Sequence, residues 1–368
     1  MSWQKKEFSK VVNDITGGNL KIKANDYLDN GAFLIIDQGA DFIGGYTNQQ
    51  YFVKRNFPVV VFGDHSKSLK YIDFDFCLGA DGVKVLEPRD GNLSSKFLYY
   101  YLMTIKLPEV GYSRHFKFLK EVEIPLPPLD AQKKIADILD KADTLRRKDA
   151  ELIKKYDELA QSIFIDMFGD PVTNPKGWDK VAISLIGEVK TGNTPPRINK
   201  DYYGSFIEWI KTDNIRMSSI FPEKSNEYLS KEGLRVGRSV DKNSILVTCI
   251  AGSSATIGNV VLTDRMVSFN QQINSLTPNE SYEPLFIYFL FRNIKHHIQS
   301  STTNGMKRII TKSSFEKLKL ISPPLDAQTL FSSKIMTYIY AKNSLSANQS
   351  EQLFQSLLQR AFNGELVH

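Results

Sequence analysis

The sequence Pro127-Pro128-Leu129-Asp130-Ala131-Gln132 occurs a second time in this chain, as Pro323-Pro324-Leu325-Asp326-Ala327-Gln328. All six positions are identical, and we call each copy a PPLDAQ box. An identical stretch at two distant places indicates an internal duplication, which constrains the fold more than any local motif does. Each box precedes a long segment with helical periodicity, so each marks the point where a copy passes from a domain into a helix.

Similarity between the two copies extends to both sides of the boxes, whereas their centres differ. Near the start of each copy, Trp3 corresponds to Trp178, and Thr16-Gly17 corresponds to Thr191-Gly192. The segments between these positions and the boxes hardly agree. Similar ends with divergent centres predict a constant frame that carries two different variable segments.

Apolar residues after each box recur at alternating steps of three and four, which is the spacing of a heptad seam. Asp130 is the expected N-cap, and the first helix is predicted over Ala131–Met167, roughly 55 Å long. The second helix is predicted over Ala327–Phe362. Two such helices in one chain are expected to pack against each other as an antiparallel coiled coil. The expected seam residues are Ile135, Ile138, Leu145, Leu152, Leu159 and Ile163 in the first helix, and Leu353 and Leu357 in the second.

The chain has 368 residues, more than one ordinary domain needs. Short β-branched or aromatic runs such as Phe33–Asp37 and Ser244–Ile250 predict strands. Helices are predicted over Phe97–Thr104 and Pro284–Ile294, at equivalent places in the two copies. The predicted fold is therefore α+β, with two mixed α/β domains in a tandem pseudo-repeat separated by two long helices. The predicted segments are a first domain at 1–128, a first helix at 129–170, a second domain at 171–324 and a second helix at 325–368.

The composition is that of a globular chain with a mild positive charge. The apolar fraction is 42%, the charged fraction is 24% and the net charge is +6, which allows a polyanion as partner without requiring one. The only cysteines, Cys77 and Cys249, are far apart and predict buried thiols in a reducing compartment. No apolar run is long enough for a membrane span or a signal peptide, so we expect a cytoplasmic protein without membrane contact.

Motifs for catalysis are absent from the sequence, with one weak exception. There is no nucleotide-binding GxxxxGK[ST] loop, no dinucleotide fingerprint, no GxSxG elbow and no histidine pair at metal-ligand spacing. Asp179, Glu188 and Lys190 match the loose D…ExK pattern of metal-dependent nucleases. The first copy has no equivalent of this pattern, so a stand-alone nuclease is a minor alternative. We expect no catalytic residue, no metal site and no cofactor bound by this chain.

Polar and basic residues are found where the frame meets the variable segments, and some of them recur in both copies. Two domains related by an antiparallel helix pair would match the local twofold symmetry of duplex DNA. Loop amides and arginines can bind phosphates and base edges. Asn270, Gln271 and Gln272 can read adenine, although side chains that order a loop are the more ordinary interpretation. The candidate DNA-binding residues are Thr191, Asn193, Thr194, Arg197, Lys307 and Arg308 in the second copy, and Lys21, Lys23, Arg114 and Lys117 in the first.

The two boxes give the chain a family resemblance. The motif Pro-Pro-Leu-x-x-Gln occurs twice, each time after a divergent domain and before a long helix. Three further features agree: Thr191-Gly192-x-Thr194-Pro195, Gly258-Asn259, and Phe-Asn-Gln at 269–271. Over nearly its whole length the chain resembles a specificity (S) subunit of a type I restriction–modification enzyme.

The resemblance implies that each variable segment is a target-recognition domain for one half of a bipartite, asymmetric DNA sequence. It implies that the long helices act as a spacer and as the docking surface for modification subunits, two of which are expected. Those partners would carry S-adenosylmethionine and methylate adenine, and restriction subunits would use ATP and Mg²⁺. The first copy departs from the family pattern, because Gly17-Gly18-Asn19-Leu20 lacks the proline of the loop.

Two other functions remain compatible with the sequence. A scaffold with two protein-binding domains on a helix pair would show the same repeat without binding DNA. A related defence system that uses a methyltransferase but no type I translocase would employ the same specificity component. The sequence gives neither the DNA target nor the length of its gap.

Overall fold

A computed structural model describes residues 3–108, 113–300, 308–344 and 347–366 of the chain. The chain divides into two compact units, which we call unit 1 and unit 2. Unit 1 comprises Met1–Glu151 together with Ser346–His368, and unit 2 comprises Leu152–Leu345. Unit 1 therefore contains both ends of the chain. No helix in the described part of the chain is both long enough and apolar enough to cross a membrane.

Short strands account for the β structure of both units. In unit 1 they are β1 Lys5–Glu7, β2 Val12–Asp14, β3 Lys21–Ile22, β4 Phe33–Ile36, β5 Gly45–Thr47, β6 Val59–Gly63, β7 Leu69–Ile72, β8 Cys77–Gly79, β9 Val83–Pro88 and β10 Glu123–Pro125. In unit 2 they are β11 Lys180–Ala182, β12 Gly187–Thr191, β13 Tyr203–Ile210, β14 Tyr228–Leu229, β15 Ser239–Val240, β16 Ile245–Thr248, β17 Ile250–Ala251, β18 Val260–Leu262, β19 Val267–Phe269, β20 Ile273–Pro278, β21 Arg308–Ile309 and β22 Lys319–Ile321.

The helices range from single turns to one long helix. They are α1 Phe8–Val11, α2 Ser95–Met103, α3 Phe116–Leu119, α4 Leu129–Phe168, α5 Ile183–Ile186, α6 Lys231–Val236, α7 Pro284–Asn293, α8 Lys295–Ser300, α9 Lys312–Lys317, α10 Leu325–Ser344 and α11 Ala347–Phe362. The division between the units falls within α4 and again between α10 and α11. The second long helix is thus described in two pieces, with 345–346 outside the described residues.

The two units repeat one sheet topology although their sequences differ. Unit 1 has a sheet of order β2-β9-β6-β7, and unit 2 has the matching order β12-β20-β16-β18, antiparallel throughout. A second sheet has the order β3-β8-β4-β5 in unit 1 and β14-β13-β19-β15 in unit 2, each with a parallel central pair. The edge strands β3 and β15 come from different parts of the two copies. The duplication predicted from the boxes therefore extends through the divergent centres.

Each PPLDAQ box is preceded by a strand that pairs with the start of its own copy. In unit 1, β10 pairs with β1, and the amide of Leu126 donates to the carbonyl of Gln4 (2.8 Å). In unit 2, β22 pairs with β11, and the amide of Ser322 donates to the carbonyl of Asp179 (2.8 Å). The first and last parts of each variable domain are therefore hydrogen-bonded together immediately before the long helix begins.

The glutamine of each box is buried and connects the long helix to the domain. Gln132 accepts from the amide of Ser94 (2.8 Å) and donates to the carbonyls of Asn92 (2.8 Å) and Pro127 (2.9 Å). Gln328 likewise accepts from the amide of Glu283 and donates to the carbonyl of Pro323. Ser94 and Glu283 are the N-cap residues of α2 and α7. The same side chain thus ties the N-terminus of a domain helix to the first turn of the long helix in both units.

The long helices share a hydrophobic core with the domains. In unit 1, Ile135 and Leu139 of α4 and Phe354 and Leu358 of α11 belong to one buried cluster with Phe97 of α2. In unit 2, the corresponding cluster centres on four phenylalanines. In five of the six pairs among them the ring centroids lie 4.8 to 5.7 Å apart, within the range of favourable aromatic pairs. These four residues are Phe164, Phe168, Phe286 and Phe331.

Two details of the predicted helices are wrong. Helix α4 begins at Leu129, so Asp130 lies in its first turn rather than at the N-cap, where its charge still favours the positive end of the helix dipole. The expected seam is buried at Ile135 and partly buried at Ile138, Ile163 and Leu357. The side chains of four other seam residues are 38 to 47% exposed. Each long helix buries the face that meets its domain as well as the face that meets the other helix, and these faces do not coincide with the whole predicted seam. These four are Leu145, Leu152, Leu159 and Leu353.

We predict that Gln132→Leu lowers the free energy of unfolding by about 2–4 kcal/mol. The substitution keeps an apolar stem in place but leaves the buried amide of Ser94 and two carbonyls without partners. Urea denaturation monitored by circular dichroism measures the change. Gln161→Leu, on the exposed face of the same helix, is the matched control and should change stability by less than about 0.5 kcal/mol. Equal effects of the two substitutions would contradict the structural role of Gln132.

Candidate nucleic-acid interface

The segment Thr191–Arg197 begins at the last residue of β12 in unit 2 and contains four of the predicted DNA-binding residues. Its path is set at Gly192, whose amide donates to the carbonyl of Ile273 (3.0 Å). A Cβ atom at Gly192 would lie 2.2 Å from the carbonyl oxygen of Asn270, so no other residue fits this close approach. The hydroxyl of Thr191 donates to the amide oxygen of Asn274 (2.7 Å), which fixes the strand end.

Two aromatic side chains hold the loop from the domain side. The indole of Trp209 donates to the carbonyl of Asn193 (3.2 Å), and the hydroxyl of Tyr203 donates to the carbonyl of Pro195 (2.6 Å). The guanidinium of Arg197 lies over both rings, 4.6 Å from the Tyr203 centroid and 5.0 Å from that of Trp209. Cation–π contacts of this kind orient a cation while leaving part of it in solvent.

Glu227 completes the arrangement around Arg197. Its carboxylate accepts from Arg197 (2.7 Å) and from the ammonium of Lys211. The hydrogen bond from Lys211 lowers the pKa of Glu227, partial burial opposes that shift, and Arg197 lowers the pKa further. Glu227 is therefore an anion over the neutral pH range, and it orients two cations whose side chains are 56% and 30% exposed. The contacts with Glu227 and with the two aromatic rings fix the position of the Arg197 guanidinium.

Two further side chains, those of Gln271 and Arg238, present polar groups beside this loop. The hydroxyl of Thr194 donates to the amide oxygen of Gln271, which is exposed. Arg238 donates from its backbone amide to the side chain of Asn193 (2.9 Å) and from its guanidinium to the carbonyl of Thr191 (2.6 Å). The predicted residues Thr191, Asn193, Thr194 and Arg197 are thus brought together with Gln271 and Arg238 on one surface of unit 2.

The structure separates the three amides that were candidates for reading adenine. Asn270 is buried and donates to Gln272 (3.0 Å), which in turn donates to the carbonyl of Ile250 (3.3 Å). These two side chains order the turn after β19, as the more ordinary interpretation expected. Gln271 points its amide to the surface. No sequence signal distinguished it from its neighbours.

The corresponding loop of unit 1 is built differently. The hydroxyl of Thr16 is buried, accepts from the amide of Val85 (2.8 Å) and donates to the carboxylate of Asp14. Burial acts to raise the pKa of Asp14, but hydrogen bonds from Thr16 and Lys84 outweigh it and lower the pKa. The next residues run through Gly18, whose φ of +79° lies in the left-handed region that glycine favours. This loop therefore lacks the stacked arginine of unit 2.

The other predicted cations are found at separate places. Lys21 and Lys23 are exposed on either side of buried Ile22, at the edge strand β3. Arg114 and Lys117 are exposed at the start of α3, and the ammonium of Lys117 lies 4.7 Å from the ring centroid of Phe118. Arg308 pairs through its backbone with Ala251 in the two-stranded β17–β21 sheet. Lys307 and the side chain of Arg308 lie outside the described residues.

Five further residues belong to this surface but were not identified from the sequence. They are Tyr203, Trp209, Lys211, Glu227 and Arg238. All five lie in the variable segment of the second copy, where a single sequence offers no register. An arginine followed by a tyrosine and a tryptophan is common in globular chains. The only usable signal was the alternation of Tyr203 through Trp209 along a strand, which does not say what the rings contact.

The three residues of the nuclease pattern make different contacts in the structure. Glu188 and Lys190 are two residues apart on β12 and form an ion pair with each other (3.0 Å). Asp179 lies before β11 and occupies the frame position equivalent to Gln4. Within the described ranges, no group of three histidine, cysteine, aspartate or glutamate side chains is placed to hold a metal ion.

Comparison with known proteins identifies the family. The sequence profile of the type I restriction modification DNA specificity domain matches residues 2–155 and 175–355. The HindI specificity subunit of Haemophilus influenzae is 28% identical over 200 residues, which cover 52% of this chain and 42% of that protein. The EcoR124I/EcoR124II specificity subunit of Escherichia coli is 25% identical over 329 residues, covering 83% of this chain and 79% of that protein. The chain thus spans less than half the length of the first of these relatives.

A solved structure agrees with the fold. The S subunit of a type I restriction–modification system from M. genitalium superposes with a TM-score of 0.62, 15% identity and coverage of 98% of this chain and 96% of that one. The mixed helix and strand content predicted from the sequence is confirmed. The two profile matches also coincide with the two copies of the repeat. This chain therefore belongs to the family of type I restriction modification DNA specificity domains.

Proposed function

We propose that this chain is the specificity subunit of a type I restriction–modification system. In this role it reads a bipartite, asymmetric sequence in duplex DNA, one half with each domain, and it directs catalytic partners to that sequence without catalysing a reaction itself. The observation that carries the proposal is the pair of equivalent frames. Two units with one sheet topology and one buried glutamine anchor carry loops of different chemistry. Such a chain presents two different binding surfaces, each on one copy of the same frame.

In the second domain, the geometry suits direct contact with base edges. Arg197 offers its remaining guanidinium donors from a fixed position, and arginine in such a position binds guanine in the major groove. Gln271 and Arg238 add an amide and a second guanidinium beside it. In the first domain, Lys21, Lys23, Arg114 and Lys117 are suited to phosphates, which set affinity and register without reading sequence.

We propose further that the long helices form an antiparallel coiled coil that spaces the two domains. Within unit 2, Tyr156 lies beside Tyr338 and Phe164 beside Phe331, so residue numbers rise on one helix as they fall on the other. Within unit 1, Arg146 pairs with Glu351 (3.0 Å) on α11. These contacts support the proposal in each unit separately. The target-recognition domains then correspond to residues 1–128 and 171–324, and the spacers to 129–170 and 325–368.

The partners follow from this role. Two modification subunits would dock on the frame and methylate adenine with S-adenosylmethionine, and restriction subunits would use ATP and Mg²⁺ for translocation and cleavage. A complex that methylates and cuts cellular DNA would work in the cytoplasm. The exposed apolar residues Leu145, Leu152, Leu159 and Leu353 on the long helices support docking of other proteins there.

We predict that the double substitution Lys21→Gln and Lys23→Gln weakens DNA binding by the complex with modification subunits. Loss of up to two phosphate contacts should lower the slope of log K against log salt concentration by about 1 to 2. Fluorescence anisotropy with a duplex target at several salt concentrations measures both quantities. Lys133→Gln with Lys134→Gln, two exposed lysines at the start of α4, is the matched control and should leave the slope unchanged. An equal slope for both double variants would remove Lys21 and Lys23 from the interface.

We also predict a bipartite methylation motif that depends on each domain separately. Adenine methylation is mapped by sequencing DNA from cells that express the chain with its modification subunit. Replacing residues 187–309 by the corresponding segment of another specificity subunit keeps β11, β22 and both boxes, and should change only one half of the motif. A change in both halves would contradict the assignment of one domain to each half. Absence of methylation with an active partner would favour a protein scaffold instead.

A further inference from the structure

Asp81 of unit 1 occupies the position that Gln271 occupies in unit 2. Strands β9 and β20 have equivalent places in the two matching sheets. Leu86 and Leu276 are equivalent within these strands, since each pairs with the residue two positions before the threonine that the two loops share. Counting five positions back from each leucine gives Asp81 and Gln271. The exposed amide on the surface of unit 2 is thus replaced by a carboxylate in unit 1.

Hydrogen bonds on both sides hold the backbone of Asp81 in place. The amide of Ala80 donates to the carbonyl of Ile22 (2.7 Å), and the carbonyl of Gly82 accepts from the amide of Asp64 (2.6 Å). Gly82 has a φ of +74°, and a Cβ atom at this position would lie 2.8 Å from two neighbouring side chains. The turn is therefore closely packed, and it presents the Asp81 side chain from a fixed backbone.

The same two hydrogen bonds place Asp81 between the candidate phosphate-binding cations of unit 1. On one side is the strand β3, where Lys21 and Lys23 are exposed. On the other side is Asp64, whose carbonyl accepts from the amide of the residue after the exposed Arg114 (2.8 Å). Cations on both sides of one carboxylate can bind the DNA backbone at two places, with the carboxylate between these contacts.

The carboxylate of Asp81 is exposed and unpaired. It forms no hydrogen bond or ion pair with any residue that the structure describes. By contrast, Asp14 pairs with Lys84 (3.0 Å) and Asp37 pairs with Lys70 (3.4 Å) in the same unit. An unpaired anion on a basic surface weakens its attraction for phosphates. A hydrogen-bond donor on a base would compensate for this cost.

The chemistry of a carboxylate selects the base that it can read. An ionised carboxylate offers only acceptors. In the major groove, cytosine presents its N4 amino group as a donor, guanine and thymine present acceptors, and adenine presents an amino group beside the acceptor N7. The adenine pattern fits an amide such as that of Gln271, which has both a donor and an acceptor. The cytosine amino group fits the carboxylate of Asp81.

We propose that Asp81 is a specificity-determining residue of the first domain. Its carboxylate accepts a hydrogen bond from the N4 amino group of a cytosine in the half-site that this domain reads, while Lys21, Lys23 and Arg114 bind the backbone on both sides. The two domains thus use different chemistry at one position of the repeat. This inference rests on the proposed function, because it takes duplex DNA as the ligand.

The test maps methylated adenines in cells that express the full chain with its modification subunit. The half of the motif that is unchanged after exchange of residues 187–309 is the half read by the first domain, and we expect it to contain a C·G pair. Asp81→Ala removes the acceptor, so this one position should become open to other bases. The other positions of that half and the whole second half should stay as they are, which shows that the variant is folded.

Fluorescence anisotropy of the purified complex gives the size of the effect. Replacing this C·G pair by T·A should weaken binding by the unmodified complex about tenfold or more, and binding by the Asp81→Ala complex by less than about twofold. The Asp81→Ala complex should also bind a duplex without the motif more tightly than the unmodified complex does, because a negative charge is removed. Misfolding would weaken binding to both duplexes instead.

Asp73→Ala is the matched control, since Asp73 is exposed just after β7, at the end of the sheet opposite to the start of β9. It should leave the motif and both affinities unchanged. An unchanged motif with Asp81→Ala, or a first half without a C·G pair, would overturn the role of Asp81. Absence of any bipartite motif with the unmodified chain would instead refute the proposed function.

Discussion

A single buried glutamine amide at the start of each long helix holds that helix against its domain and constrains both units in the same way. The side chain of Gln132 or Gln328 bonds backbone groups of the box and of the domain helix that follows the variable sheets. Because these backbone groups are shielded from water, losing the amide would leave each of them unpaired. The direction of the long helix relative to its domain is thereby fixed in the same way in both units.

This constraint explains how one frame tolerates two unlike domains. The pairing of β1 with β10 and of β11 with β22 closes each domain at its base, so the segments between can diverge without moving the helix. Unit 2 uses that freedom for a loop held by Trp209 and Tyr203, and unit 1 for a glycine-rich loop with lysines nearby. The contacts of the long helices differ as well: phenylalanines cluster around Phe331 in unit 2, whereas in unit 1 a partly exposed ion pair joins Arg146 to Glu351 beside the buried Phe354.

The sequence predicted what depends on periodicity and repetition, and missed what depends on tertiary contact. The boxes identified the duplication, and the predicted strands and helices at Phe33–Asp37, Phe97–Thr104 and Pro284–Ile294 correspond to β4, α2 and α7. A heptad pattern could not show which helix face meets the domain, so Leu145 and Leu159 were expected inside and are exposed. The position of the Arg197 side chain depends on its contact with Glu227, 30 positions away along the chain. No local sequence pattern encodes such a contact.

If the frame sets the distance between two separately read half-sites, lengthening the long helices should lengthen the gap between them. Four helical residues inserted after Glu151 in α4, with four more between α10 and α11, should lengthen the spacer by about 6 Å, or roughly two base pairs. Mapping methylated adenines in cells that express this variant with its modification subunit should give the same two half-sites with a gap about two base pairs longer. The same half-sites with an unchanged gap would show that the frame does not set their distance.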